Sequence, residues 1–405
     1  VNVPDLEEKD YVGLTWMLED LNTDMIHSRK LGVQAIITLQ VRIEALREVE
    51  AAVDVAPDRL GTGGAAGRAD GCADTAIGPV QAETLKRRVN AAAIAVRRKD
   101  TYRIKEELSL NGGKPNIGQL LWREMKLRDV SVKPLDGSLH LDGELTVFVI
   151  YSPEDENMPA QWMEETLPFS GELEMSDVKE EMIPMITVRL AHRDLEAKPD
   201  YDGEMREMDA EAVLELDIKL YEEQEAELLS DMYSNGAEIE LEQREAAFDQ
   251  ILTRNVCKTK VTEKVSLPQD ARILQICHSG AVKLDEVEVA EDSLQIDGVL
   301  EVTILYLTSD DASPVQSFVE QLPFHCAAEA RGIRCDSVYQ LDAGLEQLGA
   351  VMMGGDMVEV KAVITLDFLV LQPVTEPVIT GASVKPMDMK KLQELPGSVG
   401  YIVQP

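Results

Sequence analysis

Five cysteines (Cys72, Cys257, Cys277, Cys326, Cys335) and five histidines (His27, His140, His192, His278, His325) are the side chains best suited to nucleophilic or metal chemistry in this chain. Their spacing argues against both. No CxxC pair occurs, and the histidines form no HxH, HExxH or H-x3–5-H pattern, so no zinc set is spelled out. Cys277-His278 and His325-Cys326 are adjacent pairs. Neighbours on a strand point to opposite faces, which keeps either pair from converging on one ion. Few, widely spaced and odd in number, the cysteines read as reduced thiols of a cytosolic-type compartment, not a disulfide scaffold.

Other signatures fail for equally concrete reasons. Gly61 to Gly64 (GTGG) lacks a following GK[ST] and a preceding strand, so it is no phosphate loop. Ser170-Gly171 and Ser279-Gly280 lack the GxSxG elbow. Glu154-Asp155-Glu156 and Asp310-Asp311 occupy equivalent loops that could hold calcium, but the EF-hand pattern is missing and solvated hairpin tips are the plainer reading. No catalytic, cofactor-binding or metal residue is assigned, no cofactor is expected, and the chain reads as a non-enzyme.

Composition narrows the partners. The 405 residues suggest two to three domains, at roughly 150 residues each. Lys and Arg number 39 against 75 Asp and Glu, a net charge of −36. Such a surface repels nucleic-acid backbones and anionic leaflets. No run of 18 apolar residues predicts membrane insertion, and Asp5, Glu7, Glu8 and Asp10 break any signal-peptide pattern. Hydrophobic residues make up 44% and aromatics only 4%, so globular cores must be built from Val, Ile, Leu, Ala and Met. Tyr201 to Gln250 carries 17 acidic and 3 basic residues, which reads as a solvated sheet face plus an acidic connection.

The elements that would position any site are repeated. LDGELTVFVIY (Leu141 to Tyr151) returns as IDGVLEVTILY (Ile296 to Tyr306), and QWMEETLPF (Gln161 to Phe169) as QSFVEQLPF (Gln316 to Phe324), both at an offset of 155. MDAEAVLELDI (Met208 to Ile218) answers VEVKAVITLDF (Val358 to Phe368) at an offset of 150, and ELSL (107–110) answers KVSL (264–267). LGVQAIITLQV (Leu31 to Val41) matches the same late strand, with EDL (19–21) near RDL (193–195). This alignment would set Val1 between the positions of Met175 and Val178, so the chain is expected to open inside a module.

The period is that of strands. Leu145, Val147 and Val149 share one face, with Glu144, Thr146 and Phe148 on the other. Ala210, Ala212, Leu214, Leu216, Ile218 and Leu220 alternate with Asp209, Glu211, Glu215, Asp217 and Lys219, as Val358 to Phe368 does in the last copy. One apolar and one charged face predicts antiparallel sheets. Asp142-Gly143 and Asp297-Gly298 read as turns leading into strands, and the repeated LPF as core.

The expected fold is therefore mainly β: tandem β-sandwich or partly closed barrel modules with few short helices. The expected boundaries are a partial first module at 1–55 (late half only) and a spacer at 56–100, in which 81–96 reads equally as basic helix or strand. A second module follows at 101–235, a third at 236–372, a linker at 373–399 and a short terminal segment at 400–405.

ELSLNGGKPNIGQLLW (107–122), VKPLDGSLHLDGELTVFVIY and the LPF segment resemble the SPOCS module, and IHSRKLGVQAIITLQV (26–41) resembles its late part. Gly113-Lys114-Pro115 fits well; Pro268-Gln269-Asp270-Ala271 departs. Three such modules in series resemble the SipL-type spore-coat morphogenetic family, in which a LysM domain follows, and GYIVQP (400–405) looks like the opening of that LysM domain. The resemblance implies a coat-assembly scaffold in the mother-cell cytoplasm at the forespore surface. It also implies binding to a SpoIVA-type coat ATPase, with partner contacts mainly in the LysM domain, so binding residues are assigned to no position. Self-association through an incomplete first module is a further expectation. The alternatives are a subunit of a spore envelope or appendage filament, and a cell-wall glycan binder acting through LysM.

Overall fold

The computed structural model describes residues 10–44, 51–54, 82–155, 158–234, 237–268, 273–309 and 315–386. Every regular element among them is a strand, so the few expected helices are absent from the described residues. The strands are β1 (Tyr11–His27), β2 (Lys30–Glu44), β3 (Ala82–Ser109), β4 (Ile117–Leu135), β5 (Ser138–Pro153), β6 (Gln161–Glu174) and β7 (Ile183–Pro199). They continue with β8 (Met205–Ser234), β9 (Ala237–Ser266), β10 (Ile273–Ala290), β11 (Ser293–Thr308), β12 (Val315–Glu329), β13 (Val338–Gly354) and β14 (Met357–Pro386).

The described residues fall into two compact units, one drawn from 1–86, 228–246 and 377–405, the other from 87–227 and 247–376. The second unit holds two sandwiches. In the first, sheet β4-β5-β6 faces sheet β3-β8-β7; in the second, β10-β11-β12 faces β13-β14-β9. All five sheets have open strand orders, so none closes into a barrel and the sandwich form holds. Each sandwich encloses its own core, one including Leu145, Val147, Val149, Tyr151, Leu214 and Leu216, the other Leu300, Val302, Ile304, Tyr306, Ile364 and Leu366. These side chains are 0–1% exposed, and burial of each large one stabilises by about 1.5–3 kcal/mol. The faces read from alternation are the faces buried.

The repeat extends to strand ends and to one shared register break. The four strands β4 to β7 return as β10 to β13 at the offset of 155, and the break after Leu190 in the β7–β8 ladder returns after Leu345 in β13–β14. The first unit carries a third version. β1 and β2 form a hairpin that pairs Leu18 with Ile37 and slips just after it, as Leu190–Leu214 and Leu345–Ile364 do. This register aligns Leu18 with Leu190, and so corrects the match of EDL to RDL by two residues.

Three local expectations are revised. Asp142-Gly143 and Asp297-Gly298 lie inside β5 and β11, not at turns. The turns are at Gly137 (φ +84°) and Asp292 (φ +55°), and the glycines instead lie at register breaks, between Arg128 and Ser131 and between Leu284 and Glu286. The expected spacer is strand from Ala82 onward, because β3 pairs with β8 and buries Val89 and Val96; this decides the ambiguity at 81–96. The expected linker at 373–399 is strand as far as Pro386, held by buried Val378 and Ile379. Gly61 to Gly64, Cys72, Glu156, Asp310-Asp311 and the LysM-like 400–405 lie outside the described residues.

Candidate functional site

Two surfaces stand out, and neither is a cleft. The first is the seam between the two sandwiches. The outward face of β5, which alternation left with a mixed character, is covered there: Phe148 and Ile150 pack with Cys277 and Leu307, supported by Trp162 and Leu305. On the opposite sheets, Tyr221, Leu369 and Leu371 form a second apolar contact with Ile183, Met185 and Ile251.

Polar groups stitch the same seam. Lys219 Nζ donates to Gln340 Oε1 at 3.3 Å, and Gln340 Nε2 donates to the Tyr221 hydroxyl. Arg254 donates from Nη2 to Asp367 at 2.8 Å and from Nε to the Pro184 carbonyl at 2.9 Å. Thr187 donates to Asp342 at 3.0 Å. Burial raises the carboxyl pKa of both Asp342 and Asp367, overriding the nearby Arg189 and Arg254 respectively. Lys219 belongs to the charged face of its strand, yet it is only 9% exposed because Gln340 of the neighbouring module covers it.

His278 sits at this seam as well. Its Nε2 lies 2.8 Å from the Leu348 carbonyl, and Lys126 of the first sandwich donates to its backbone oxygen. Burial lowers the imidazole pKa, with Lys126 and Arg128 adding to the effect. Cys277, beside it, is a buried thiol pushed up to about 12 by desolvation. The cavity among Glu124, Lys126, Glu164 and His278 measures about 10 Å³, room for about one water. Among the described residues no group of three or more His, Cys, Asp or Glu is placed to hold a metal.

The remaining chemistry-bearing residues are dispersed. His325 Nδ1 lies 2.9 Å from Asp297 on an exposed face, while Cys326, its neighbour, turns inward toward Cys257. The Gly113-Lys114-Pro115 loop is structural: Arg206 holds the Lys114 carbonyl and Asn116 Oδ1 at 2.9 Å each, and Tyr151 donates to Pro115 at 3.1 Å.

The second surface is the β1–β2 hairpin. One face sets Leu14 opposite Val41, Trp16 opposite Leu39, and Leu18 opposite Ile37. Trp16 is 66% exposed and Leu39 59%. The counterparts of Leu39 in the complete modules, Leu216 and Leu366, are fully buried, and those of Trp16, Val188 and Ala343, are partly buried.

Tandem antiparallel sandwiches joined by a packed seam define a class of modular β proteins. Residues 116–198 and 272–353 match the family described as SipL, SPOCS domain. These two stretches, under half of the chain, are thus similar to SPOCS domains, a likeness that points to a sporulation-related protein. The matched stretches span β4 to β7 and β10 to β13; the long strands β3, β8, β9 and β14 lie outside them. No curated protein and no solved structure matches the chain.

Proposed function

We propose that this protein is a non-enzymatic assembly scaffold of the spore coat. It acts in the mother-cell cytoplasm at the forespore surface and links coat components through a SpoIVA-type ATPase. The observation that supports this reading most is the apolar face of β1–β2. Soluble proteins rarely leave a contiguous apolar face open unless it binds something, and here two internal copies of the same hairpin fully bury the equivalents of Ile37, Leu39 and Val41 and partly bury those of Leu14, Trp16 and Leu18. The occupant we assign is a second copy of the chain. The strip Leu14, Trp16, Leu18, Ile37, Leu39 and Val41 is apolar along both strands, as a self-complementary two-fold contact requires.

The test is size-exclusion chromatography with light scattering on the full chain, beside a variant carrying Trp16→Glu and Leu39→Glu. A concentration-dependent dimer that the double variant abolishes supports the assignment. A strict monomer at high concentration overturns it. Pull-down of a SpoIVA-type ATPase by the full-length protein tests the coat role separately, and failure there removes that role even if the dimer stands.

A further inference from the structure

Cys257 on β9 and Cys326 on β12 come from opposite sheets of the second sandwich, and their sulfurs lie 3.5 Å apart. Both are free thiols at the margin of the core, half-buried and flanked by apolar side chains. Equivalent bonds locate the same place in the first sandwich. Arg98 donates to the Glu174 carbonyl as Asn255 does to that of Glu329, and Tyr102 to Ser170 as Thr259 to His325. The counterparts of the two cysteines are therefore Asp100 and Gly171. There the space is filled by Tyr102, whose ring would lie 2.4 Å from any Cβ at Gly171. The first copy packs a ring at this point; the second juxtaposes two sulfurs.

We propose that Cys257 and Cys326 are an oxidation site that closes to an inter-sheet disulfide when the protein meets hydrogen peroxide. One thiolate attacks a peroxide oxygen, the O–O bond breaks, and hydroxide leaves as the sulfur becomes a sulfenic acid. The second sulfur then attacks the sulfenic sulfur, the S–O bond breaks, and the expelled hydroxide takes up that thiol's proton to leave as water. Two thiols and one peroxide give one disulfide and two waters, with two electrons passing from sulfur to oxygen. Burial and the neighbouring sulfur push the Cys257 thiol up; the 3.5 Å approach of the two sulfurs lets either one resolve the other's sulfenic acid. Closure brings the sulfurs from 3.5 Å to about 2.05 Å. The product would tie the two sheets of one sandwich together and leave the other, with no cysteine at either place, unlinked.

The experiment uses the full chain, reduced, freed of reductant, exposed to hydrogen peroxide, and mapped by mass spectrometry without reduction. The expected result is a linked peptide pair containing Cys257 and Cys326 that dithiothreitol separates, with an upward shift in the unfolding midpoint. In a Cys257→Ser variant, Cys326 should stop at the sulfenic acid and be captured by dimedone. The proposal is overturned if the folded wild type yields Cys326 free or over-oxidised with no linked pair. It is equally overturned if Cys326 links as readily to Cys335 or Cys72. The wild-type map decides the matter alone if the variant does not fold.

Discussion

Phe169 lies so close over Gly143 that a Cβ there would stand 2.7 Å from the ring's Cζ, and Phe324 covers Gly298 at the same distance. The Phe of each LPF segment and the Gly of each Asp-Gly pair are thus one packing unit, repeated in both sandwiches. Gly143→Ala and Gly298→Ala should each destabilise by about 1–3 kcal/mol in urea unfolding, the usual range for overpacking. The two sites differ in what else the Cβ meets: at Gly298 the Lys283 carbonyl oxygen lies 2.4 Å away. Phe169→Ala should therefore relieve most of the strain of Gly143→Ala, whereas Phe324→Ala should relieve little of that at Gly298. A double-mutant cycle measures the difference.

Arg254 joins the two sandwiches by donating to the Pro184 carbonyl, and is held for that contact by Asp367 on the neighbouring strand of its own sheet. Its side chain is 27% exposed and that of Asp367 31%, so solvent screens part of the pair. Arg254→Ala should cost about 1–2 kcal/mol. With Asp367→Asn as the second change, a cycle read by chemical unfolding should return a coupling of about 1 kcal/mol. Additive effects would show the pair to be idle.

Asp342 gives a pH signature. Burial raises its folded-state pKa above the unfolded value, so its charged form disfavours folding. The penalty is present at neutral pH and is lifted as pH falls through the raised pKa toward the unfolded value near 4. Asparagine keeps an acceptor for Thr187 without the charge. Asp342→Asn should be more stable than wild type at pH 7, and the gap should shrink as the pH approaches 4.

His278 works in the opposite sense. Burial depresses its folded-state pKa, so its contribution is complete above the unfolded value near 6.5 and is lost as pH falls through the depressed one. Protection of β10 and β13 amides against hydrogen exchange, corrected for the intrinsic exchange rate at each pH, should fall on acidification below about pH 6.5. In His278→Gln that acid-induced loss of protection should be smaller. An unchanged pH dependence in the variant would assign it to other groups, among them Glu124 and Glu164 across the seam.

Much of the fold was written in alternation. Ala210 to Leu220 and Val358 to Phe368 bury the faces their period predicts, because one residue of slip would turn every apolar side chain to solvent. The module offset survives into strand ends for the same reason. Asp-Gly misled because its usual turn chemistry is local, while the demand on Gly143 comes from Phe169, a partner on another strand. β3 was ambiguous because its place is fixed by pairing with β8, more than a hundred residues on. The seam was not legible: Lys219 and Gln340, like Cys257 and Cys326, meet only through tertiary packing, and each alone has the look of an ordinary strand residue. The one available hint was Phe148, an aromatic on the face of β5 that alternation leaves to solvent.

The network joining Lys219, Gln340 and Tyr221 has a bearing on heredity. Duplicated segments usually drift apart freely once each can stand alone. Here Lys219 and Tyr221 belong to one copy and Gln340 to the other, so a change in either is felt by both. Recombination that deleted the second copy would strip Lys219 and Tyr221 of Gln340 and lay both open, together with the apolar side chains around them.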